Sequence, residues 1–160
     1  MSRLPTLEIG AGEHPDFDFD LHNDIRELPG IELVSNALDL EKLIDLGGVS
    51  IVFANQFIEH LTFSEQLRFL DMCQWILPIG GMLLLWTPDK DWMEQARKSG
   101  EITEEWYQKL LSGQNDYPEN VHKNLLDKEK MEAMLRQNHF VVHSISSIGG
   151  SLQVVAFNGY

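Results

Sequence analysis

Residues 4–15 read LPTLEIGAGEHP, and this stretch decides how the rest of the chain is interpreted. Its apolar first half, from Leu4 to Ile9, is typical of a buried strand in a parallel sheet. The strand ends at Gly10 and Gly12, where glycine permits a positive φ and a close approach of the backbone to a bound molecule. In open α/β sheets, ligands bind just beyond the carboxyl ends of the strands. The stretch therefore predicts a ligand site at the end of the first strand.

The composition is that of one globular domain. The chain has 160 residues, of which 43% are hydrophobic and 23% charged, so residues 1–160 are expected to form a single domain. Its apolar runs, 47–54 and 82–86, are far shorter than the ~20 residues of a membrane helix. No basic, apolar leader opens the chain. Cys73 has no second cysteine to pair with, which fits a reducing compartment. A cytoplasmic protein without membrane contact is expected.

The charge balance restricts the partners. Twenty-five acidic residues against twelve basic ones give a net charge of −13, and no stretch clusters Lys or Arg. A field of that sign repels polyanions, which disfavours nucleic acid. No Cys/His cluster has the spacing of a metal site, so no metal ion is predicted.

The order of elements predicts an α/β fold. The alternation of aromatic and acidic residues at 16–22 indicates a second strand only a few residues after the glycine turn. Because a parallel crossover normally needs a dozen or more residues, the β1–β2 crossover helix is expected to be reduced or absent. Thr62 and Glu65 form the pattern of a capping box, and Asp127 that of a helix cap. Further strands are predicted at 31–34, 49–54 and 82–86, and helices at 24–28, 38–46, 64–77, 103–111 and 128–138.

The last part of the chain predicts a hairpin. The runs 141–148 and 151–158 have strand character and are separated only by Gly149 and Gly150, which favours a tight antiparallel turn. The expected fold is Rossmann-like: a mostly parallel sheet with an antiparallel C-terminal hairpin strand and helices on both faces. Residues 87–127 lack strong periodicity and are expected to form a substrate-side insertion.

Four motifs in this order carry a resemblance to a known family. They are EIGAG at 8–12, the carboxylate of Asp20 in the predicted second strand, NQFIEHL at 55–61 and LPIGGMLLL at 77–85. Together they resemble the class I S-adenosylmethionine-dependent methyltransferases. The subgroup most similar is that of small predicted methyltransferases in which the acid of the second strand closely follows the glycine turn. The chain is expected to lack the N-terminal helices that cover the cofactor in the family.

The resemblance implies S-adenosylmethionine as the cofactor and assigns roles to individual residues. Asp20 would accept hydrogen bonds from both ribose hydroxyls, Asp39 would meet the adenine edge, and Asn55 and Gln56 would lie beside the methionine moiety. The full set of expected cofactor-binding residues is Glu8, Gly10, Ala11, Gly12, Asp20, Leu21, Leu38, Asp39, Leu40, Asn55, Gln56 and His60.

The reaction itself leaves fewer marks in the sequence. Methyl transfer chiefly needs alignment of acceptor, methyl group and sulfur. A general base is required only if the acceptor must lose a proton, and His60 and His122 are weak candidates for it. His60 and Glu59 are equally expected to do no more than cap and stabilise the start of a helix. The expected substrate-side residues are Trp86, Asp89, Gln114 and His122.

A nicotinamide dinucleotide is the rival ligand for the glycine turn. Its fingerprint requires Gly-x-Gly-x-x-Gly and an acid about 20 residues later. Pro15 stands where the third glycine would be, and Asp20 comes too early. The sequence therefore favours the adenosyl cofactor over a dinucleotide.

Two functions remain open from the sequence. The first is a methyltransferase acting on a small-molecule or sugar-like acceptor. The second is a catalytically inactive, methyltransferase-like binding or scaffold subunit, motivated by the missing roof helices and by His14 in place of a small residue. The site would be open, covered by residues 87–127, or completed by a second copy of the chain in a homo-oligomer.

Overall fold

A computed structural model describes residues 3–16, 18–113 and 118–160. Short 3₁₀ helices span Ala37–Lys42 and Ile58–His60. The strands are β1 (Thr6–Ile9), β2 (Leu21–Asp24), β3 (Leu33–Val34), β4 (Ile51–Asn55), β5 (Met82–Pro88), β6 (Phe140–Ile148) and β7 (Ser151–Asn158). The helices are α1 (Phe63–Ile76), α2 (Lys90–Ser99), α3 (Glu104–Ser112) and α4 (Lys128–Gln137).

All seven strands form one sheet in the order β3-β2-β1-β4-β5-β7-β6. The five strands from β3 to β5 pair in parallel, whereas β7 pairs antiparallel with both β5 and β6. Gly149 and Gly150 both have positive φ in the turn that joins β6 to β7. The predicted Rossmann-like sheet and its C-terminal antiparallel hairpin are confirmed.

The core lies around the central strands. Leu7, Val52 and Leu85 are fully buried in β1, β4 and β5, and α1 contributes Phe69 and Leu70. These buried positions explain why β4 and β5 read as almost continuous apolar runs. Helix α1 also packs on the 3₁₀ helix Ala37–Lys42, and α4 packs on β6.

The predicted helix starts are confirmed in detail. The Thr62 N–H donates to the Glu65 carboxylate over 2.7 Å, while the Glu65 N–H donates to the Thr62 hydroxyl. The Asp127 carboxylate accepts from the Lys130 N–H at the start of α4. His139 adopts a left-handed conformation after that helix, with φ of 59°.

The connection from β1 to β2 contains no helix in its described residues, 10–16 and 18–20, as predicted. The predicted bounds of the second strand are wrong, because β2 begins at Leu21 and ends at Asp24. Phe17, within the predicted strand, lies outside the described residues. The helix predicted at 24–28 is also wrong: the Asp24 carboxylate accepts from the Arg26 N–H and forms a turn instead.

The segment 87–127 contains one helix that the sequence predicts and one that it does not. Helix α3 occupies the predicted position, whereas α2 is missed because most of its side chains are polar and only Met93 and Ala96 are buried. No helix among the described residues is long and apolar enough to cross a bilayer.

Candidate functional site

A cavity of about 210 Å³ lies beyond the carboxyl ends of β1 and β2. Four segments enclose it: the glycine turn, the end of β2, the start of the 3₁₀ helix Ala37–Lys42 and the loop after β4. Residues 119, 120 and 123 of the loop before α4 and the first turn of α1 also line it. The lining residues are Gly10, Asn23, Asp24, Ile25, Asn36, Ala37, Leu38, Gln56, Phe57, His60, Leu61, Glu65, Glu119, Asn120 and Lys123.

The glycine turn has the backbone conformation that its sequence predicts. Gly10 and Gly12 have φ of 69° and 66°, in the region that side chains disfavour. A Cβ on Gly10 would come within 2.6 Å of the Phe57 ring, so the absence of a side chain is also a packing requirement. The Ala11 N–H donates to the Asn23 carbonyl over 2.9 Å, which ties the turn to β2.

Asp24 is the carboxylate that β2 presents to the cavity. Its side chain is almost fully buried and accepts a hydrogen bond from the Gly12 N–H over 3.0 Å. Arg26 forms an ion pair with the other carboxylate oxygen at 3.1 Å. Asn23, next to it, donates from its side-chain amide to the carbonyls of Leu33 and Ser35, which fixes β3 against β2.

The expected position of Asp20 at this site is wrong. Asp20 precedes β2 and lies beside Thr6, at the amino end of the strands. Its carboxylate accepts from the Thr6 N–H and hydroxyl and pairs with Arg3 at 2.8 Å. The Thr6 N–H, above all, lowers the pKa of Asp20. The physical reason for the error is that β2 begins at Leu21 rather than at 16, so its carboxyl end lies four residues beyond Asp20.

The loop after β3 brings Asn36, Ala37 and Leu38 to the cavity. The Asn36 side chain accepts from the Leu38 N–H over 2.9 Å and caps the 3₁₀ helix. Asp39 and Leu40, also expected to meet adenine, do not line the cavity. Asp39 faces outward in an ion pair with Lys42 at 2.6 Å, and Leu40 is buried in the core. Asn36 is a cavity residue that the sequence analysis does not identify. Its one recognisable feature in the sequence is that asparagine is a preferred helix cap.

The loop after β4 brings only part of its expected set. Gln56 lines the cavity in a left-handed conformation with φ of 50°, and its backbone N–H donates to the Trp86 carbonyl over 2.7 Å. Asn55 is exposed and does not line the cavity. Phe57, which sequence reasoning missed, lines the cavity and packs on Phe69 at 5.4 Å between ring centroids.

Two other expected cofactor residues, Glu8 and Leu21, do not line the cavity. Glu8 is buried in β1, and its carboxylate accepts from the Asp16 N–H over 2.7 Å. Burial raises the pKa of Glu8, although that hydrogen bond and nearby His22 oppose the rise. Leu21 packs against the core. Of the twelve residues expected to bind cofactor, the lining of the cavity includes Gly10, Leu38, Gln56 and His60.

The expected substrate-side residues lie in different places. Trp86 is 40% exposed near the end of β5. The expectation for Asp89 is wrong: the residue is buried, caps α2 through the N–H groups of Asp91 and Trp92, and accepts from the Ser147 hydroxyl. Gln114 lies outside the described residues. His122 lies beside His60, with ring centroids 5.0 Å apart.

Polar side chains cluster where the loop after β4 meets the loop before α4. The Nδ1 atoms of His60 and His122 lie 3.3 and 2.7 Å from the carbonyls of Val121 and Leu110. Burial lowers the pKa of both imidazoles. Burial also raises the pKa of Glu59 to about 7. Its own backbone N–H and the Thr87 hydroxyl, which donates to the carboxylate over 2.9 Å, oppose this rise.

Comparison with known proteins identifies the fold. No protein-family model and no curated protein sequence matches the chain. A protein of Pyrococcus horikoshii superposes with a TM-score of 0.70 at 16% identity, over 98% of this chain and 82% of that one. A SAM-dependent methyltransferase of Archaeoglobus fulgidus superposes with a TM-score of 0.66 at 12% identity, over 98% of this chain and 86% of that one. The 1,6-didemethyltoxoflavin-N1-methyltransferase of Burkholderia thailandensis, with bound S-adenosylhomocysteine, superposes with a TM-score of 0.67 at 11% identity. The match covers 99% of this chain and 72% of that one.

The chain therefore has the Rossmann-like fold of S-adenosylmethionine-dependent methyltransferases. The resemblance that the four sequence motifs carry is confirmed at the level of the fold.

Proposed function

We propose that this protein binds S-adenosylmethionine in the cavity beside Gly10 and transfers its methyl group to a small acceptor. The observation that carries the proposal is the position of the Asp24 carboxylate. It faces the cavity at the carboxyl end of a parallel strand and is hydrogen-bonded to the glycine turn. Such a crevice is where open α/β sheets bind nucleosides.

Asp24 takes the ribose role that the sequence assigns to Asp20. A carboxylate accepts hydrogen bonds from two neighbouring hydroxyls, and these charge-assisted bonds are stronger than neutral ones. Gly10 would lie next to the sugar. The N–H groups of Ala11 and Gly12 hold the turn on Asn23 and Asp24, and the Glu8 carboxylate accepts from the Asp16 N–H.

The adenine ring would lie against Asn36, Ala37 and Leu38, which combine a side-chain amide with apolar surface. The methionine end would extend toward Gln56 and His60 on the opposite wall, with Asn55 beside them. An acidic protein suits a cofactor that carries a sulfonium cation.

The acceptor would enter from the side of the loop before α4. Glu119, Asn120 and Lys123 of that loop line the cavity together with Glu65 of α1, and these polar residues favour a hydroxylated or sugar-like compound. His60 lines the cavity and His122 adjoins it; a neutral imidazole can accept the proton that a hydroxyl acceptor loses. Residues 87–127 thus supply part of the substrate side, with Trp86 at its outer edge.

Calorimetric titration of the unaltered chain with S-adenosylmethionine, and separately with S-adenosylhomocysteine, tests the proposal. Saturable binding of both at one site per chain is expected. A folded protein that binds neither ligand at millimolar concentration would contradict it.

Two observations favour the second candidate function, a binding or scaffold subunit without catalysis. Arg26 already engages the Asp24 carboxylate, and the cavity is smaller than the ~300–1,000 Å³ of usual small-molecule sites. A second copy of the chain could complete an open site of this kind. Sedimentation analysis with and without S-adenosylhomocysteine separates the two: a ligand-independent assembly that binds no cofactor favours the scaffold.

A further inference from the structure

We propose that Glu59, His60 and His122 form a binding site for one divalent transition-metal ion, of the class of Zn²⁺ or Co²⁺. The three residues each offer one donor atom, and these atoms lie within 4.8 Å of one another. The site goes beyond cofactor binding and does not depend on it.

The donor set decides the kind of ion. Two imidazoles and one carboxylate suit zinc, cobalt, nickel or iron, whereas magnesium and calcium prefer oxygen donors only. Three protein ligands leave a position open for water or for a substrate atom, as in catalytic rather than structural zinc sites.

Each of the two histidines has a backbone carbonyl beside its Nδ1 atom. A backbone carbonyl can only accept, so the Nδ1 atoms of His60 and His122 carry the protons that face Val121 and Leu110. In a neutral imidazole protonated at Nδ1, the Nε2 atom has the lone pair that can bind a metal. The His60 ring also interacts with the backbone of Gln56. Metal-binding histidines usually donate their other ring N–H in this way, which fixes the tautomer and the ring orientation.

Glu59 provides the independent observation that points to a cation. The residue is only 1% exposed, and its Oε1 atom has no hydrogen-bond partner in another described residue. Its second oxygen accepts from the Thr87 hydroxyl. A buried carboxylate oxygen without a partner is costly. A cation bound between this oxygen and the two imidazoles would remove that cost.

Hydrogen bonds between the surrounding segments hold the three ligands together. The N–H groups of Lys123 and Asn124 donate to the Glu59 carbonyl over 2.8 and 3.2 Å, which fixes the loop against the 3₁₀ helix Ile58–His60. Gln66, fully buried in α1, bridges the carbonyls of Ile58 and Asn124 with its side-chain amide at 2.9 and 3.0 Å. The ligand positions are therefore set by the fold, which lowers the cost of assembling a metal site.

His60 belongs both to this cluster and to the lining of the cavity. An ion here would take the place of the two imidazoles as the group that activates the acceptor, because it would lower the pKa of an acceptor hydroxyl bound to it. This catalytic role rests on the proposed function, whereas binding of the ion does not.

Titration of the untagged full chain with CoCl₂, without cofactor, tests the site. One equivalent of Co²⁺ is expected to produce visible d–d absorption, and one equivalent of ZnCl₂ to abolish it. Millimolar MgCl₂ is expected to leave the band unchanged. Absence of the band, or its loss with MgCl₂, would overturn the proposal, and neither result bears on cofactor binding.

Variants locate the ion. Loss of a single ligand by His122→Ala or Glu59→Gln is expected to weaken Co²⁺ binding by about tenfold or more, since even outer partners of metal ligands cost 10–100-fold. His143→Ala, an exposed histidine of β6, is the matched control and is expected to change nothing. Circular dichroism checks that each variant is folded. If Glu59→Gln unfolds, the variant of the half-buried His122 alone tests whether the ion binds at this cluster. Equal affinity in His122→Ala and the control would overturn the assignment.

Discussion

The backbone N–H of Gly12 donates a hydrogen bond to the carboxylate of Asp24 over 3.0 Å, although the two residues are twelve positions apart. This bond joins the glycine turn after β1 to the carboxyl end of β2. Doubly wound folds normally connect the first two strands through a helix, and the described residues of this connection contain none. The bond between turn and strand end therefore fixes the part of the site that a crossover helix would otherwise position.

Asn36 and Asp39 give opposite expectations for adenine binding. Asn36→Ala removes a cavity side chain and is expected to weaken S-adenosylhomocysteine binding by about tenfold, the loss of one good hydrogen bond. Asp39→Ala removes only an exposed ion pair with Lys42 and is expected to leave the affinity unchanged. Calorimetric titration of both variants is the measurement. A larger loss in Asp39→Ala would return the adenine role to that residue.

Gly10 and Gly80 separate backbone strain from crowding of the cavity. Both have positive φ, 69° and 78°, so an alanine at either position is expected to cost about 1 kcal/mol. At Gly80 nothing lies within 4 Å of the added Cβ, whereas at Gly10 the Phe57 ring lies 2.6 Å away. We expect Gly10→Ala to cost a further ~1–3 kcal/mol through overpacking.

Urea unfolding of the two alanine variants measures this difference. Equal destabilisation of Gly10→Ala and Gly80→Ala would mean that Phe57 moves aside freely and does not fix the turn.

The pH dependence of stability contains a contribution from His22. Burial alone would lower the pKa of His22, but the Asp16 carbonyl and the carboxylates of Glu32 and Glu8 together raise it above 6.5. The folded state therefore binds the proton more tightly than the unfolded chain. This stabilisation is fully present below pH 6.5 and is lost as the pH rises through the raised pKa.

Glu32→Gln should reduce that loss, because Glu32 lies 2.9 Å from the imidazole. Thermal melting between about pH 5 and 8.5, across the ordinary histidine pKa, is expected to show a flatter profile for this variant. Glu101→Gln, on an exposed glutamate, is the control. A pH profile of Glu32→Gln as steep as that of the unaltered chain would show that the His22–Glu32 pair does not cause the pH dependence.

The sequence predicts those elements whose signal is local. The apolar runs of β4 and β5, the capping box at Thr62 and the two glycines before β7 each depend on neighbouring residues only, and all are confirmed. Strand β2 is different, since three of its four residues are the buried polar His22, Asn23 and Asp24. Their burial depends on partners from other strands and loops, so no hydrophobic pattern marks the end of β2. The carboxylate at its end, Asp24, lies four residues beyond the predicted Asp20.

The cluster at Glu59 could not be predicted for a related reason. His122 reaches His60 because backbone N–H groups of the following residues, Lys123 and Asn124, bind the Glu59 carbonyl. Hydrogen bonds between main-chain groups leave no trace in side-chain identity. For that reason the spacing of histidines along the chain predicts no metal site, although the fold brings the three residues together.

The most direct measurement compares two aspartates that bracket the same strand. Calorimetric titration with S-adenosylhomocysteine is carried out on Asp24→Asn and Asp20→Asn, each checked for folding by circular dichroism. Asp24→Asn is expected to lose about tenfold in affinity, because a neutral amide replaces a charge-assisted acceptor, while Asp20→Asn keeps the affinity of the unaltered chain. Unchanged binding in Asp24→Asn together with a loss in Asp20→Asn would contradict the placement of the adenosyl group between Gly10 and the end of β2.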